Sequence, residues 1–265
     1  MSGKETIILK FGGAAVASVE NFKKIAALIL NKILQFRVVV VVSAMGDTTD
    51  RLLELARQVN PNPPLREQDM LVSVGERISV ALLAMALDRL GQEAVSLTGS
   101  QSGIITSSAH AMARILEVRP QRILKGLDEG KIVIVAGFQG VSKEGEITTL
   151  GRGGSDTTAV ALGIALGASK VEFYKDVAGI YSEDPKKCPD ATLYSELSFE
   201  KALEIVERGA KVLDPRSIAL ASKNNLPLHV LSFYDSDLFH CPGTFIGPRQ
   251  RLSRGPHVFE SLNLS

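Results

Sequence analysis

The chain of 265 residues sets 30 Lys and Arg against 29 Asp and Glu, a net charge of +1, with 45% hydrophobic and 22% charged residues. This balance excludes a disordered chain and argues against nucleic-acid or membrane partners, which need a basic surface to gain from counterion release. With no Trp, 4 Tyr and 10 Phe there is little aromatic surface for base stacking, and the length suffices for a full core.

Thr6–Leu9 and Val38–Val42 are apolar runs without polar alternation, the pattern of strands buried on both faces. Between them, Val19–Leu34 repeats apolar residues at helical spacing. Further strands are expected at Ala94–Leu97, Ile132–Ala136, Val171–Tyr174 and Leu228–Leu231. Helices are expected at Thr49–Gln58, Glu67–Leu90, Pro120–Glu129, Ser155–Leu166, Ser198–Arg208 and Pro215–Asn224. This alternation predicts an α/β fold, a doubly wound and mostly parallel sheet sandwiched between helices. The interruption lies at Gly137–Asp156, where Lys143–Glu146 reads as a hairpin tip and Gly151–Gly154 as a loop feeding a helix capped by Ser155. Cys188 and Cys241 make no disulfide framework, and Cys241 beside His240 lacks metal-site spacing. Apolar stretches reach only about ten residues, short of a membrane span, and Lys10 with Gly12 and Gly13 interrupts any signal-peptide core. The expectation is a cytoplasmic protein.

Five segments carry candidate chemistry. At the end of the first strand, Lys10-Phe11-Gly12-Gly13 offers backbone N–H groups and a point charge to a phosphate, although a glycine turn with a solvated lysine fits equally. Gly151-Arg152-Gly153-Gly154-Ser155-Asp156 fails the dinucleotide fingerprint, because Asp156 takes the last glycine position. No Walker loop or protein-kinase signature occurs, yet an arginine and an aspartate in a glycine loop suit an anionic substrate. Glu76 shares a stripe with Val80, Leu83 and Leu87 in Met70–Leu87, a segment apolar almost all round that reads as a buried helix. A carboxylate there needs a cation, either a distant Lys or Arg or a ligand ammonium, since Arg77 does not face it. Lys175 to Lys186, with Asp176 and Tyr181, reads as a nucleotide rim or a surface loop, and Lys211 as a lysine between helices. Ser43–Asp50, with Thr49, holds an anion or caps a helix. His110 and His229 have no motif company and read as structural.

In this order, these segments resemble the aspartokinases of the amino-acid kinase family. Val40–Asp50, Ser73–Ile78, Leu97–Gln101, Ala136–Gly140, Thr149–Asp156 and Asp184–Lys186 join the opening lysine–glycine motif, so the resemblance runs from about residue 6 to 247. It implies ATP-dependent phosphorylation of the β-carboxylate of L-aspartate to 4-phospho-L-aspartate, on the route to lysine, threonine and methionine. It further implies Mg²⁺ carried mainly by the nucleotide phosphates, with no protein metal site. Lys10, Asp156 and Lys211 match the catalytic set, and Ser43, Thr49, Glu76, Phe138, Arg152 and Ser155 the aspartate pocket. Lys10, Phe11, Gly12, Gly13, Lys175, Asp176, Tyr181, Lys186 and Lys211 match the nucleotide side. A homodimer is implied, with a separate regulatory subunit as a further option.

The chain departs from the pattern at Ala14-Ala15, where hydroxyls are usual, and at Lys175, Ala178 and Lys186, where Thr or Ser, Asp and Arg are usual. These changes bear on nucleotide affinity more than on aspartate recognition. Two other readings remain: a different amino-acid or acyl kinase of this fold, and a catalytically idle binding or regulatory subunit. Residues 1–247 read as the catalytic domain and 248–265 as a short tail, too small for a ligand-sensing module because one βαβ unit already needs about 30 residues.

Overall fold

The computed structural model describes residues 3–183, 188, 190–210, 212–234, 242–248 and 257–260. The chain runs β1 (Thr6–Phe11), α1 (Val19–Lys32), β2 (Arg37–Val42), α2 (Thr48–Val59), α3 (Leu65–Val72), α4 (Val74–Asp88) and β3 (Ala94–Leu97). It continues through β4 (Ile104–Thr106), β5 (Ile115–Val118), α5 (Gln121–Asp128), β6 (Ile132–Ala136), β7 (Gln139–Ser142), β8 (Ile147–Thr149) and α6 (Gly154–Ala165). The last elements are β9 (Lys170–Lys175), β10 (Glu196–Leu197), α7 (Phe199–Glu207), α8 (Pro215–Lys223), β11 (Leu228–Ser232) and β12 (Thr244–Ile246).

Among the described residues, one sheet has the order β10-β12-β11-β9-β1-β2-β6-β3, parallel throughout except for β11 with β12. The five valines of β2 are all buried, as a strand covered on both faces requires. One face packs Ile7, Leu9, Val40 and Ile134 against α1 and α4 residues such as Ile25, Ile29, Leu83 and Leu87. The opposite face packs Ile8, Val39, Val133 and Val171 against α6 and α8, through Val160, Ile164 and Ile218. Local signals start the helices. Ser18 accepts from the Asn21 N–H at α1, Ser198 from Lys201 at α7, and Asp214 from Arg216 at α8, where Pro215 takes the first position.

All six expected strands of the main sheet are present, and the structure adds a second sheet of order β5-β4-β7-β8. It grows from the C-terminal ends of β3 and β6, and the expected hairpin tip joins β7 to β8. Its strands have only three or four residues, too few for a period to show. Two expectations need correction. The stretch expected as one buried helix divides at Ser73, whose carbonyl accepts from Gln139 Nε2 at 2.8 Å. Nor is it buried all round: Met70, Val74, Ile78 and Met85 are exposed because α4 is an outer layer with one face on the sheet. Leu65–Asp88 is long and apolar enough to cross a membrane by composition alone, but it buries Asp69 and Glu76 within the fold. The second correction concerns α6, which is capped by Gly153 at φ 70° and not by Ser155, because the left-handed glycine starts the helix earlier.

Every residue from Gly154 to Ile164 in α6 is buried, and most are small, so the helix lies close against β1 and β9. At Gly163 an added Cβ would stand 2.8 Å from Leu226 Cδ2 and 3.1 Å from Val171 Cγ2. Gly163→Val is therefore expected to lower the unfolding free energy by about 1–3 kcal/mol through overpacking. Urea denaturation checks this, and an unchanged midpoint would show that α6 does not need so close an approach.

Candidate active site

β1 lies between β2 and β9, with α1 packed on one face of the sheet and α6 on the other, so its C-terminal end is the switch point where open α/β sheets bind ligands. The period of two along β1 turns Lys10, like Ile8, toward α6, while Leu9 and Phe11 turn toward α1. There Lys10 Nζ lies 2.6 Å from Oδ1 of Asp156, in the first turn of α6. Lys175, at the end of β9, reaches the same carboxylate, with Nζ 2.9 Å from Oδ2 and 3.3 Å from Oδ1. Lys10 and Asp156 are each only 4% exposed. Burial disfavours the Lys10 ammonium and the nearby Lys175 adds repulsion, so its pKa falls to about 8 despite Asp156. Burial alone would raise Asp156, but the two lysines override it and hold the carboxyl at about 2.

Across the crevice, Gly75 lets α4 approach β2, since a Cβ there would meet that of Ala44 at 2.7 Å. This approach brings in Glu76, 3% exposed, whose Oε1 accepts from the Ala44 N–H at 3.1 Å. Its Oε2 has no partner among the described residues, and no cation lies within ion-pair distance. Burial pushes its pKa up to about 7, with the backbone N–H groups and Lys10 offsetting part of the rise. On the third side, Gly151 at φ 75° and Gly153 at φ 70° flank Arg152, which is exposed and forms no ion pair among the described residues. Phe138 stands at φ 68°, a costly conformation for a bulky residue, held by its N–H to Thr158 Oγ1 and by its carbonyl to the Leu150 N–H.

These groups enclose a cavity of about 670 Å³, within the range of small-molecule sites. Of the residues expected at the site, Lys10, Gly12, Gly13, Ser43, Thr49, Glu76, Phe138, Arg152, Ser155, Asp156, Lys175 and Asp176 all line it. Phe11 does not; its ring is buried and stacks on Tyr174 with centroids 4.8 Å apart. Tyr181 lies outside the wall, bridged to Leu193. Lys186, Lys211, His240 and Cys241 fall outside the described residues.

Sequence reasoning missed Asp69, a buried carboxylate in the cavity wall that accepts from His110 Nδ1 at 2.8 Å, from the Ala111 N–H at 3.1 Å and from Thr149 Oγ1. The signal was available, because Asp69 precedes Glu76 by two helical turns on the same stripe. His110 is thus not isolated, though its partner serves the wall.

The chain matches the amino acid kinase family over residues 5–232. The aspartokinase of Corynebacterium glutamicum is 53% identical over 242 residues, covering 91% of this chain and 56% of that protein. The solved aspartate kinase of Synechocystis superposes with a TM-score of 0.81 at 46% identity, covering 92% of this chain and 40% of that one. E. coli aspartokinase III in complex with aspartate and ADP gives 0.83 at 28% identity, covering 92% and 64%. The chain spans about half the length of the curated relatives it matches.

Replacing Asp156 by Asn would leave the Lys10 and Lys175 ammoniums facing each other with no countercharge. The expected loss of unfolding free energy at neutral pH is about 3–5 kcal/mol, as for other broken buried pairs, measured by denaturant unfolding. A variant as stable as the parent would show that the two lysines do not depend on this carboxylate.

Proposed function

The chain belongs to the amino acid kinase family, and from that premise we propose that it transfers the γ-phosphoryl group of ATP to the β-carboxylate of L-aspartate, giving 4-phospho-L-aspartate. The observation that carries this reading is Glu76, a buried carboxylate on a cavity wall with one oxygen free and no ion pair among the described residues. A ligand ammonium satisfies it, and Arg152, opposite in charge and unpaired, suits the α-carboxylate of the same ligand through a two-bond fork. An amino acid held by these two groups has its side-chain carboxylate left for the Lys10 side.

There the chemistry needs no base. A carboxylate with an ordinary pKa near 3.9 is already ionised at neutral pH. Its oxygen attacks the γ-phosphorus, the bond to the bridging oxygen breaks, and ADP leaves with the electron pair. The obstacle is anion approaching anion, which is met by positioning and positive charge. Gly12 and Gly13 let backbone approach the phosphates, and Lys10 places its charge on the transferring group. Asp156 holds both lysines in place. Among the described residues no three His, Cys, Asp or Glu side chains gather, and both oxygens of Asp156 are taken by lysines. On the resemblance, a magnesium ion would arrive on the nucleotide and would neutralise phosphate charge. Lys211 and Lys186 keep the nucleotide-side roles that the resemblance implies, and a homodimer in the cytoplasm remains the expected form.

ADP release measured with L-aspartate, with N-acetylglutamate and with no acceptor tests the proposal. Turnover that depends on aspartate is expected, and equal rates without acceptor, or none at all, would overturn it. Removing the fork with Arg152→Ala should lower kcat/KM for aspartate by roughly 10–150-fold, the equivalent of about 1.5–3 kcal/mol, mainly through KM. Comparable loss of ATP affinity would place Arg152 elsewhere.

Glu76 sets a pH dependence. Its carboxyl titrates near 7 in the free protein and must be ionised to hold an ammonium, so kcat/KM for aspartate should fall about tenfold per pH unit below 7. Glu76→Gln should be slow at every pH and lose that slope. A retained slope in the variant would assign the titration to another group.

A further inference from the structure

Arg216, in the first turn of α8, spends its guanidinium on two distant parts of the chain. Nε and Nη2 donate to Oε1 of Glu260 at 2.9 and 2.7 Å. Nη1 donates to the Leu150 carbonyl at 2.7 Å, and Nη2 also reaches the Ala113 carbonyl at 3.4 Å. Leu150 immediately precedes Gly151, so this contact fixes the entry of the loop that carries Arg152. The same helical turn fixes the exit: Asp214 lies so close to Gly153 that a Cβ there would come within 2.1 Å of its Oδ2. The N-terminal end of α8 therefore brackets Gly151-Arg152-Gly153.

Glu260 in turn is not loosely attached. Its Oε2 accepts from the Ile115 N–H at 2.7 Å, and its own N–H donates to the Ile115 carbonyl at 3.1 Å, which adds a residue to the edge strand β5. Two residues earlier, the Asn224 side-chain amide grips the backbone of Val258, donating to its carbonyl at 2.8 Å and accepting from its N–H at 2.9 Å. Phe259 packs against the core between these anchors. Residues 257–260 are thus docked onto the domain at a place where one carboxylate holds the arginine that holds the substrate loop.

Arg152 needs such support. It sits between two left-handed glycines and has no ion pair among the described residues, so its direction depends on how the ends of the loop are held. We infer that Glu260 and Arg216 are positioning residues for Arg152, and that docking of residues 257–260 sets the affinity for the carboxylate-bearing acceptor. The inference rests on the proposed role of Arg152. A lysine at 216 keeps the charge but loses the fork that reaches Glu260 and Leu150 together. A glutamine at 260 keeps the shape and loses the ion pair.

The test compares the parent with Glu260→Gln and Arg216→Lys by steady-state kinetics and by amide hydrogen exchange. Both variants should raise KM for aspartate by about five- to twentyfold while kcat and KM for ATP stay within about twofold. Exchange at residues 151–154 should quicken by about tenfold while β1 and β2 keep their protection. An unchanged KM for aspartate, or unchanged exchange in the loop, overturns the inference. So does a parallel loss of core protection and of all kinetic parameters in both variants, which marks a purely structural contact. If the parent itself shows no aspartate-dependent turnover, the proposed function fails, while the exchange arm still decides whether Glu260 holds the loop.

Discussion

The arrangement depends on one carboxylate. Asp156 stands at the meeting point of three elements, and without it one buried and one half-buried ammonium would face each other at the C-terminal edge of the sheet. The ion pairs form because α6 lies close enough to β1 and β9, and this closeness comes from a helix of buried small residues with Gly163 at the tightest point. Packing thus places the charge. Two ammoniums against one carboxylate leave a net positive charge beside a glycine turn, which suits the polyphosphate of the proposed reading.

The same region holds three of the departures from the family pattern, Ala14, Ala15 and Lys175. Ala15 is buried in the core beside α1, and the Ala14 carbonyl accepts from the Tyr234 hydroxyl at 3.0 Å, so the turn is tied down although positions 14 and 15 carry no hydroxyls of their own. Lys175 stands where a hydroxyl residue is usual, and its ammonium lies in the cavity wall on Asp156. On the proposed reading, a positive charge in this position would act on a phosphate over a longer range than a neutral donor does.

Much of this was legible in the sequence, and what was hidden was hidden for one reason. Six of the eight main-sheet strands announce themselves through β-branched runs, whereas the short β10 and β12 do not, and Lys10, Glu76, Arg152 and Asp156 stand out as charges where the local pattern is apolar or glycine-rich. Features fixed by residues far apart in the chain did not show. The break at Ser73 depends on Gln139, the second sheet on pairing between strands of three or four residues, and the bracing of the arginine loop on Arg216 and Glu260. Phe11 reads as part of the lysine–glycine motif, yet strand alternation sends its ring into the core. A linear motif names neighbours in sequence, whereas the pleat decides which of them share a site.

Glu76 shows the cost of a site that waits for its ligand. Its pKa is raised on folding, so the buried carboxyl destabilises the native state increasingly as pH rises from the ordinary carboxylate range through about 7. A residue chosen for stability alone would be apolar here, since Val80, Leu83 and Leu87 continue its stripe into the core. The cost is bearable because the N–H of Ala44 takes one oxygen, and Gly75 brings the helix near enough for that bond. The other oxygen has no partner among the described residues, and on the proposed reading this is what would make the position selective. A ligand ammonium recovers the energy lost in burying the charge, whereas a neutral amide at the same place leaves the carboxylate as poorly served as before. On the proposed reading, discrimination between charged and acylated amines would follow from an instability built into the fold, and a change that gave Glu76 an internal cation would weaken that choice.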